Sequence, residues 1–194
     1  RFAFWVNSYN AHVVQGVIDN FAGSASYKVT DTGDFFDRLI NVGGTQLSLN
    51  QIENVVVRGD DDHASAKNLP KAAKERFDVW HKELWEGKTV DARLHAAFNC
   101  GALSCPNLLD GEPYVYRASV LEDQLAANAK AWVNDDKGAS ADGISQLFDW
   151  YKKDFDVADG SVAKFIEKHR DKGLDGVDTS RFLDYDWTLN ILMP

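Results

Sequence analysis

From Phe2 to Phe21 apolar side chains fall at nearly every angle of a 3.6-residue helix, among them Trp5, Val6, Tyr9, Val13, Val14, Val17 and Ile18. A segment that is apolar almost all round predicts a helix buried on most sides. Its polar residues are then the informative ones: Asn7 and Asn10 lie three apart on one face, and His12 sits on another. Buried amides need hydrogen-bond partners, so the two asparagines are expected to tie the helix to neighbouring backbone. The functional alternative is that one of them lines a pocket and donates to a developing oxyanion.

Farther along, Gly23 to Gly44 is dominated by turn residues, with one short amphipathic helix predicted at Phe35, Phe36, Leu39 and Ile40. Ser48 followed by Gln51 has the form of a capping box and predicts a helix through Ile52, Val55 and Val56, which carries Glu53 and Arg58. Glu53 is expected to be solvated or paired with a base such as Arg58. The acidic run Gly59-Asp60-Asp61-Asp62-His63 lacks the spaced oxygens and terminal glutamate of a calcium loop, and reads as a solvated loop. After Pro70, the spacing of Ala72, Ala73, Phe77, Trp80 and Leu84 predicts an amphipathic helix ending at Gly87.

The run Leu94 to Phe98 is apolar or small apart from His95, and it predicts a short buried strand interrupted by Gly101. Tyr114-Val115-Tyr116 reads as a second strand, and Ser119 with Glu122 as a second capping box opening a helix through Leu125 and Trp132. A polar loop at Gly138 to Gly143 separates that helix from two more, Leu147 to Phe155 and Ser161 to His169. In Phe182 to Ile191, Tyr185, Trp187, Leu189 and Ile191 alternate with Asp184, Asp186, Thr188 and Asn190, which predicts a terminal strand. Together these elements predict an α+β fold, one compact domain over residues 1–194 with several helices around a small sheet.

Composition removes some classes of function. The chain has 194 residues, 44% of them hydrophobic, which suffices for a substantial core. Its 30 acidic and 21 basic residues give a net charge of −9, spread along the chain, so no nucleic-acid partner is expected. No apolar run approaches twenty residues, so no membrane span is expected either. The chain opens inside a helix pattern at Arg1-Phe2-Ala3-Phe4-Trp5, and upstream residues, a signal peptide among them, are expected to be missing.

Chemistry concentrates between Asp91 and Pro106, which hold both cysteines and one of the five histidines. Strand alternation would put Cys100 with Phe98 in the core, and His95 with Asn99 on the opposite, polar face. Cys105 precedes Pro106, where it would cap a short helical turn whose free amides stabilise a thiolate. Cys105 is therefore the candidate nucleophile and His95 its base. Glu53 is the first candidate to orient the imidazole, ahead of Asp186, while Asn99 joins Asn7 and Asn10 as pocket-lining or oxyanion candidates. Two other readings stay open: a Cys100–Cys105 disulfide across the Gly101 turn, or a buried thiol and a core histidine with no chemical role. Zinc would need ligands beyond the two cysteines and His95, so neither a metal nor another cofactor is expected.

Four stretches carry a resemblance. Ala3-Phe4-Trp5-Val6-Asn7-Ser8-Tyr9-Asn10-Ala11, Ser48-Leu49-Asn50-Gln51-Ile52-Glu53 with Arg58, His95 to Pro106, and Phe182-Leu183-Asp184-Tyr185-Asp186-Trp187-Thr188-Leu189-Asn190 resemble, in order, a bacterial and plant family known chiefly as a domain of unknown function, number 547. The resemblance brings no catalytic residue with it; it implies that bacterial members are often exported, hence a periplasmic or extracellular location. Cys100-Gly101-Ala102-Leu103-Ser104-Cys105 is also similar to the Cys-Gly-Ser-Cys run of papain-like proteases, whose second cysteine reacts. Here two residues are inserted, proline follows, and His95 precedes the cysteines. A papain-like or transglutaminase-like scaffold would suit a loop-borne thiol facing a strand-borne histidine.

The expected function is a cysteine-dependent hydrolase or acyltransferase acting on an amide or thioester in a small molecule or peptide. The alternative is a non-catalytic ligand- or protein-binding module, its pocket lined by Trp5, Tyr9, Tyr185 and Trp187 and braced by a Cys100–Cys105 disulfide.

Overall fold

The computed structural model describes residues 1–21, 23–24, 26–67, 69–109 and 114–191. Over these residues the chain is mostly helical, with two small two-stranded sheets standing apart from one another, not one sheet ringed by helices. None of the described helices is long and apolar enough to cross a membrane.

Helix α1 (Phe2–Asn20) buries Phe2, Trp5, Val6, Tyr9 and Val13. Phe4, Val14 and Ile18 stay exposed, so the helix is less enclosed than its composition predicts. The expected capping box at Ser48 forms in both directions: Gln51 N–H donates to Ser48 Oγ at 3.2 Å, and Ser48 N–H donates to Gln51 Oε1 at 3.0 Å. Beyond it the helix widens into a π-helix, Gln51–Val57, wedged against α1 and α2 (Lys71–Trp85). Ile52, Val55, Val56 and Val57 fill that junction and are essentially inaccessible. Widened turns of this kind re-aim the side chains they carry. Here those include Glu53, which is buried instead of solvated.

The short helix expected at Phe35–Ile40 is only a single turn, closed by Arg38 N–H on Asp34 O at 2.7 Å. Its end is instead strand β1 (Ile40–Val42), paired antiparallel with β2 (Thr45–Leu47) in the register Ile40 to Leu47. Gly43 and Gly44 both take positive φ, 59° and 87°, as the mirror-image turn of a two-residue hairpin requires.

The strand expected at Leu94–Phe98 is one turn of helix, α3 (Leu94–Ala97). All four of its residues are buried, so no polar face was available to distinguish a period of 2 from one of 3.6. The start signal lies just upstream, where the Asp91 carboxylate accepts from Arg93 N–H at 3.0 Å. Helix α4 (Leu121–Asn134) packs on α3 and on α7 (Val162–His169). The expected Ser119–Glu122 box does not form: a 3₁₀ turn, Ala118–Val120, leads into α4, and Glu122 reaches Arg93 at 2.8 Å. No strand forms at Tyr114–Tyr116, because both backbone groups of Tyr116 are taken by Asn7.

In the last third, β3 (Ala139–Ser140) and β4 (Gly143–Ile144) make a minimal hairpin where a polar loop was expected. The helix expected from Leu147 to Phe155 breaks at Tyr151 into α5 (Leu147–Trp150) and α6 (Lys152–Asp159). Ser161 caps α7 by accepting from Lys164 N–H at 3.1 Å. Trp132, Phe148, Phe155 and Phe165 interlock beneath, with Trp132 stacked on Phe148 at 4.6 Å between centroids.

Phe182–Ile191 forms no continuous terminal strand. Only isolated bridges appear, Phe182 with Ile144, Thr188 with Lys28 and Leu189 with Ala102. Its backbone is used otherwise: Leu103 N–H donates to Thr188 O at 2.8 Å, Ser104 N–H to Asp186 O at 3.3 Å, and Asn190 N–H to Gly101 O at 2.8 Å. The segment is thereby bound along the cysteine loop and delivers Tyr185 and Trp187 to it.

Candidate functional site

The loop after α3 is held by asparagines. Asn10 donates to Ala97 O at 2.9 Å and accepts from Asn99 N–H at 2.9 Å. Asn99 donates to Pro106 O at 2.5 Å and accepts from Gly101 N–H at 2.8 Å, closing the loop on itself around Gly101, whose φ is +86°. With Asn7 bonded to Tyr116, all three amides singled out in the sequence are engaged with backbone, the first of the two roles expected of Asn7 and Asn10. They hold the site in shape.

The two thiols exchange the environments expected of them. Cys105 is the core residue, 3% exposed, and Cys100 is half-buried at the cavity wall; both are free. The cause is the reversal at Gly101, which folds Cys105 back under Cys100 until Cys100 N–H donates to Cys105 Sγ at 3.0 Å. Hydrogen bonding from Cys105 lowers the Cys100 pKa against the opposing effect of burial, and the Tyr185 hydroxyl and Ala102 N–H add to it. The Tyr185 oxygen lies 3.1 Å from Cys100 Sγ. Its own pKa is raised, by burial first and by the neighbouring thiols, so it keeps its proton and donates. Burial pushes the Cys105 thiol well up, helped by Cys100. Donors converging on one sulfur favour its thiolate.

His95 has a partner that the sequence did not single out. Its Nε2 donates to Asp154 Oδ2 at 2.9 Å, and the same oxygen accepts from Arg58 Nε at 2.6 Å. Nε2 bonded this way leaves Nδ1 as the acceptor of the neutral ring. Glu53, expected to orient the imidazole, makes no bond to it: Tyr151 donates its hydroxyl to Glu53 Oε1 at 2.8 Å and itself stacks its ring on His95 at 4.1 Å and 18°. Arg58 lies over the other partner of that stack, 4.7 Å from the Tyr151 ring centroid. Asp186 is exposed and accepts from Thr188 N–H, with no bond to His95.

These ionisations set an acid limit on the fold. Burial lowers the His95 pKa against the opposing pull of Asp154. Burial would raise Asp154, but hydrogen bonds from His95 and Arg58 outweigh it and bring the carboxyl down to about 2. Both folded values lie below the unfolded ones, so the stability they contribute is complete above about pH 6.5 and is lost as pH falls towards 2. For Asp154 the loss amounts to about 2 kcal/mol, concentrated below about pH 4. Melting temperatures across this range are expected to fall in two stages, His95 first. A flat profile between pH 6.5 and 3 would contradict the assignment.

A cavity of about 100 Å³ collects Cys100, Cys105, His95, Glu53, Tyr151 and Tyr185, with Tyr9, Trp150 and Trp187 in its walls. Trp5 is elsewhere, packed on Trp80 in the core at 5.2 Å. Among the described residues no cluster of three or more His, Cys, Asp or Glu has the arrangement of a metal site. Asp154 and Tyr151 went unread because nothing in Tyr151-Lys-Lys-Asp154 separates them from any polar helical turn. Tyr185 and Trp187 were legible as aromatics of the alternating tail.

A family model described as "Protein of unknown function, DUF547" matches residues 1–133. That stretch contains Glu53, Arg58, His95 and both cysteines, whereas Tyr151, Asp154, Tyr185 and Trp187 lie beyond it. Comparison with curated proteins and with solved structures finds no match, so the papain-like and transglutaminase-like likenesses gain no relative.

Proposed function

We propose that this chain, which belongs to the DUF547 family, is a cysteine-dependent hydrolase or acyltransferase in which Cys100, not Cys105, is the nucleophile. The observation that carries the reading is that one cavity is bordered both by a thiol surrounded with hydrogen-bond donors and by a histidine whose far nitrogen is held on a buried carboxylate. Nucleophile, base and orienting group are the parts that covalent acyl transfer needs.

In the proposed reaction His95 Nδ1 takes the Cys100 proton as the sulfur attacks the acyl carbon of an amide or thioester. Asp154 stabilises the imidazolium so formed. His95 then returns the proton to the leaving amine or thiol, and the carbon–nitrogen or carbon–sulfur bond breaks to leave an acyl-thioester on Cys100. Water, or an acceptor amine or thiol, attacks that thioester while His95 takes its proton; the acyl carbon–sulfur bond then breaks, and His95 returns the proton to the Cys100 sulfur. Asn10 and Asn99 position the loop, and Cys105 and Tyr185 supply donors to the sulfur.

Alkylation by iodoacetamide in the native, non-reduced protein tests this. A single adduct is expected on Cys100, with a pH midpoint below the ordinary thiol value of about 8.5. An activated acyl ester is expected to leave one acyl group on the same sulfur. Reaction at Cys105 instead, or two thiols that react only after reduction, would overturn the assignment.

A further inference from the structure

Within that same cavity Glu53 is not used by the chemistry just proposed. Its side chain is more than nine-tenths buried, and only Oε1 is bonded, to Tyr151; Oε2 has no partner among the described residues. The nearby base forms no salt bridge with it. Arg58 is committed to Asp154 through Nε at 2.6 Å, to Asn54 Oδ1 at 2.7 Å and to Asp60 at 3.4 Å. Arg58 is thus paired with Asp154 and Asp60, and Glu53 has no ion-pair partner among the described residues.

The same cavity is lined by aromatic rings packed on one another: Tyr185 lies 4.6 Å from Trp187 and 4.8 Å from Trp150, and the two tryptophans stack at 6.0 Å and 21°. Trp150 remains 45% exposed although it lines the cavity. A buried carboxylate sharing a cavity with aromatic walls attracts a cation, through its charge and the ring quadrupoles. A volume of about 100 Å³ admits the end of a side chain and not a whole sugar or nucleotide.

We infer that the cavity receives the alkylammonium or guanidinium end of its substrate, with Glu53 as the binding carboxylate and Trp150, Tyr185 and Trp187 as the walls. The inference rests on Cys100 being the reactive thiol of the cavity, and it narrows the substrate to an acyl compound carrying a positive charge.

Three methanethiosulfonate reagents that differ in charge test it without a substrate. In each, the Cys100 thiolate attacks the sulfenyl sulfur and methanesulfinate leaves, giving a mixed disulfide that intact mass resolves. At fixed salt the 2-aminoethyl reagent is expected to react with Cys100 about tenfold faster than the neutral methyl reagent, and the 2-sulfonatoethyl reagent more slowly than either. In Glu53→Gln the cationic preference is expected to collapse while the neutral reagent still reacts. A preference that survives in Glu53→Gln comes from the overall charge of −9 and overturns the inference, as does its absence from the native protein. A neutral reagent that never modifies Cys100 overturns the nucleophile assignment itself. Should Glu53→Gln fail to fold, butylammonium ion is expected to slow neutral-reagent labelling of the native protein where butanol does not; equal effects of the two overturn the inference.

Discussion

Asp154→Ala lowers the stability of the fold by about 3–5 kcal/mol, the cost of removing one member of a buried ionic pair while leaving the other in place. The side chains concerned are 11% exposed for Asp154, 8% for Arg58 and 1% for His95. Water cannot take over from the missing carboxylate at those exposures. Arg58 would keep Asn54 at 2.7 Å and the partly exposed Asp60 at 3.4 Å, which limits the loss without restoring a close counter-charge. Asp154→Asn keeps the size and one acceptor for His95, so it is expected to cost less, about 1–3 kcal/mol, through the weaker bonds to Arg58. Denaturant midpoints at pH 7, read with an unchanged slope, measure both. A loss under about 1 kcal/mol in Asp154→Ala would mean that Arg58 finds its charge elsewhere, and Asp154 would cease to be the support of His95.

That carboxylate was also the part of the site least legible in the sequence. The side chains it joins come from three places, Arg58 after the π-helix, His95 in α3 and Asp154 in α6, and no local spacing links them. The Ser48–Gln51 box and helices α1, α2, α4 and α7 were legible because each rests on hydrogen bonds or periodicity confined to a few turns. Leu94–Phe98 failed for the opposite reason. A run buried on every side has no polar phase, and the strand assumption then carried Cys100 into the core and Cys105 out of it. The glycine that misled that alternation was itself visible: a residue at φ +86° reverses the chain, and beyond it no alternation continues.

The two cysteines now separate sharply under substitution. Cys100→Ala is expected to abolish native-state labelling and acyl transfer while changing stability little, since the sulfur is half-buried at a cavity wall and its backbone N–H keeps the Cys105 acceptor. Cys105→Ala is expected to cost about 1–3 kcal/mol, because it opens a small void in the core and strands the Cys100 N–H without an acceptor. It should also move the Cys100 labelling midpoint upward, Cys105 being the strongest of the donors that lower it. Cys105→Ser, which retains a donor and an acceptor, is expected to recover part of both effects. A disulfide would behave otherwise: either alanine variant would destabilise the oxidised protein alike, by about 2–4 kcal/mol, and reductant would erase the difference. Thermal melts of the variants with and without reductant, together with the labelling midpoint of Cys105→Ala, decide the matter. An unmoved midpoint would remove Cys105 from the activation of Cys100 and leave Tyr185 and Ala102 as its donors.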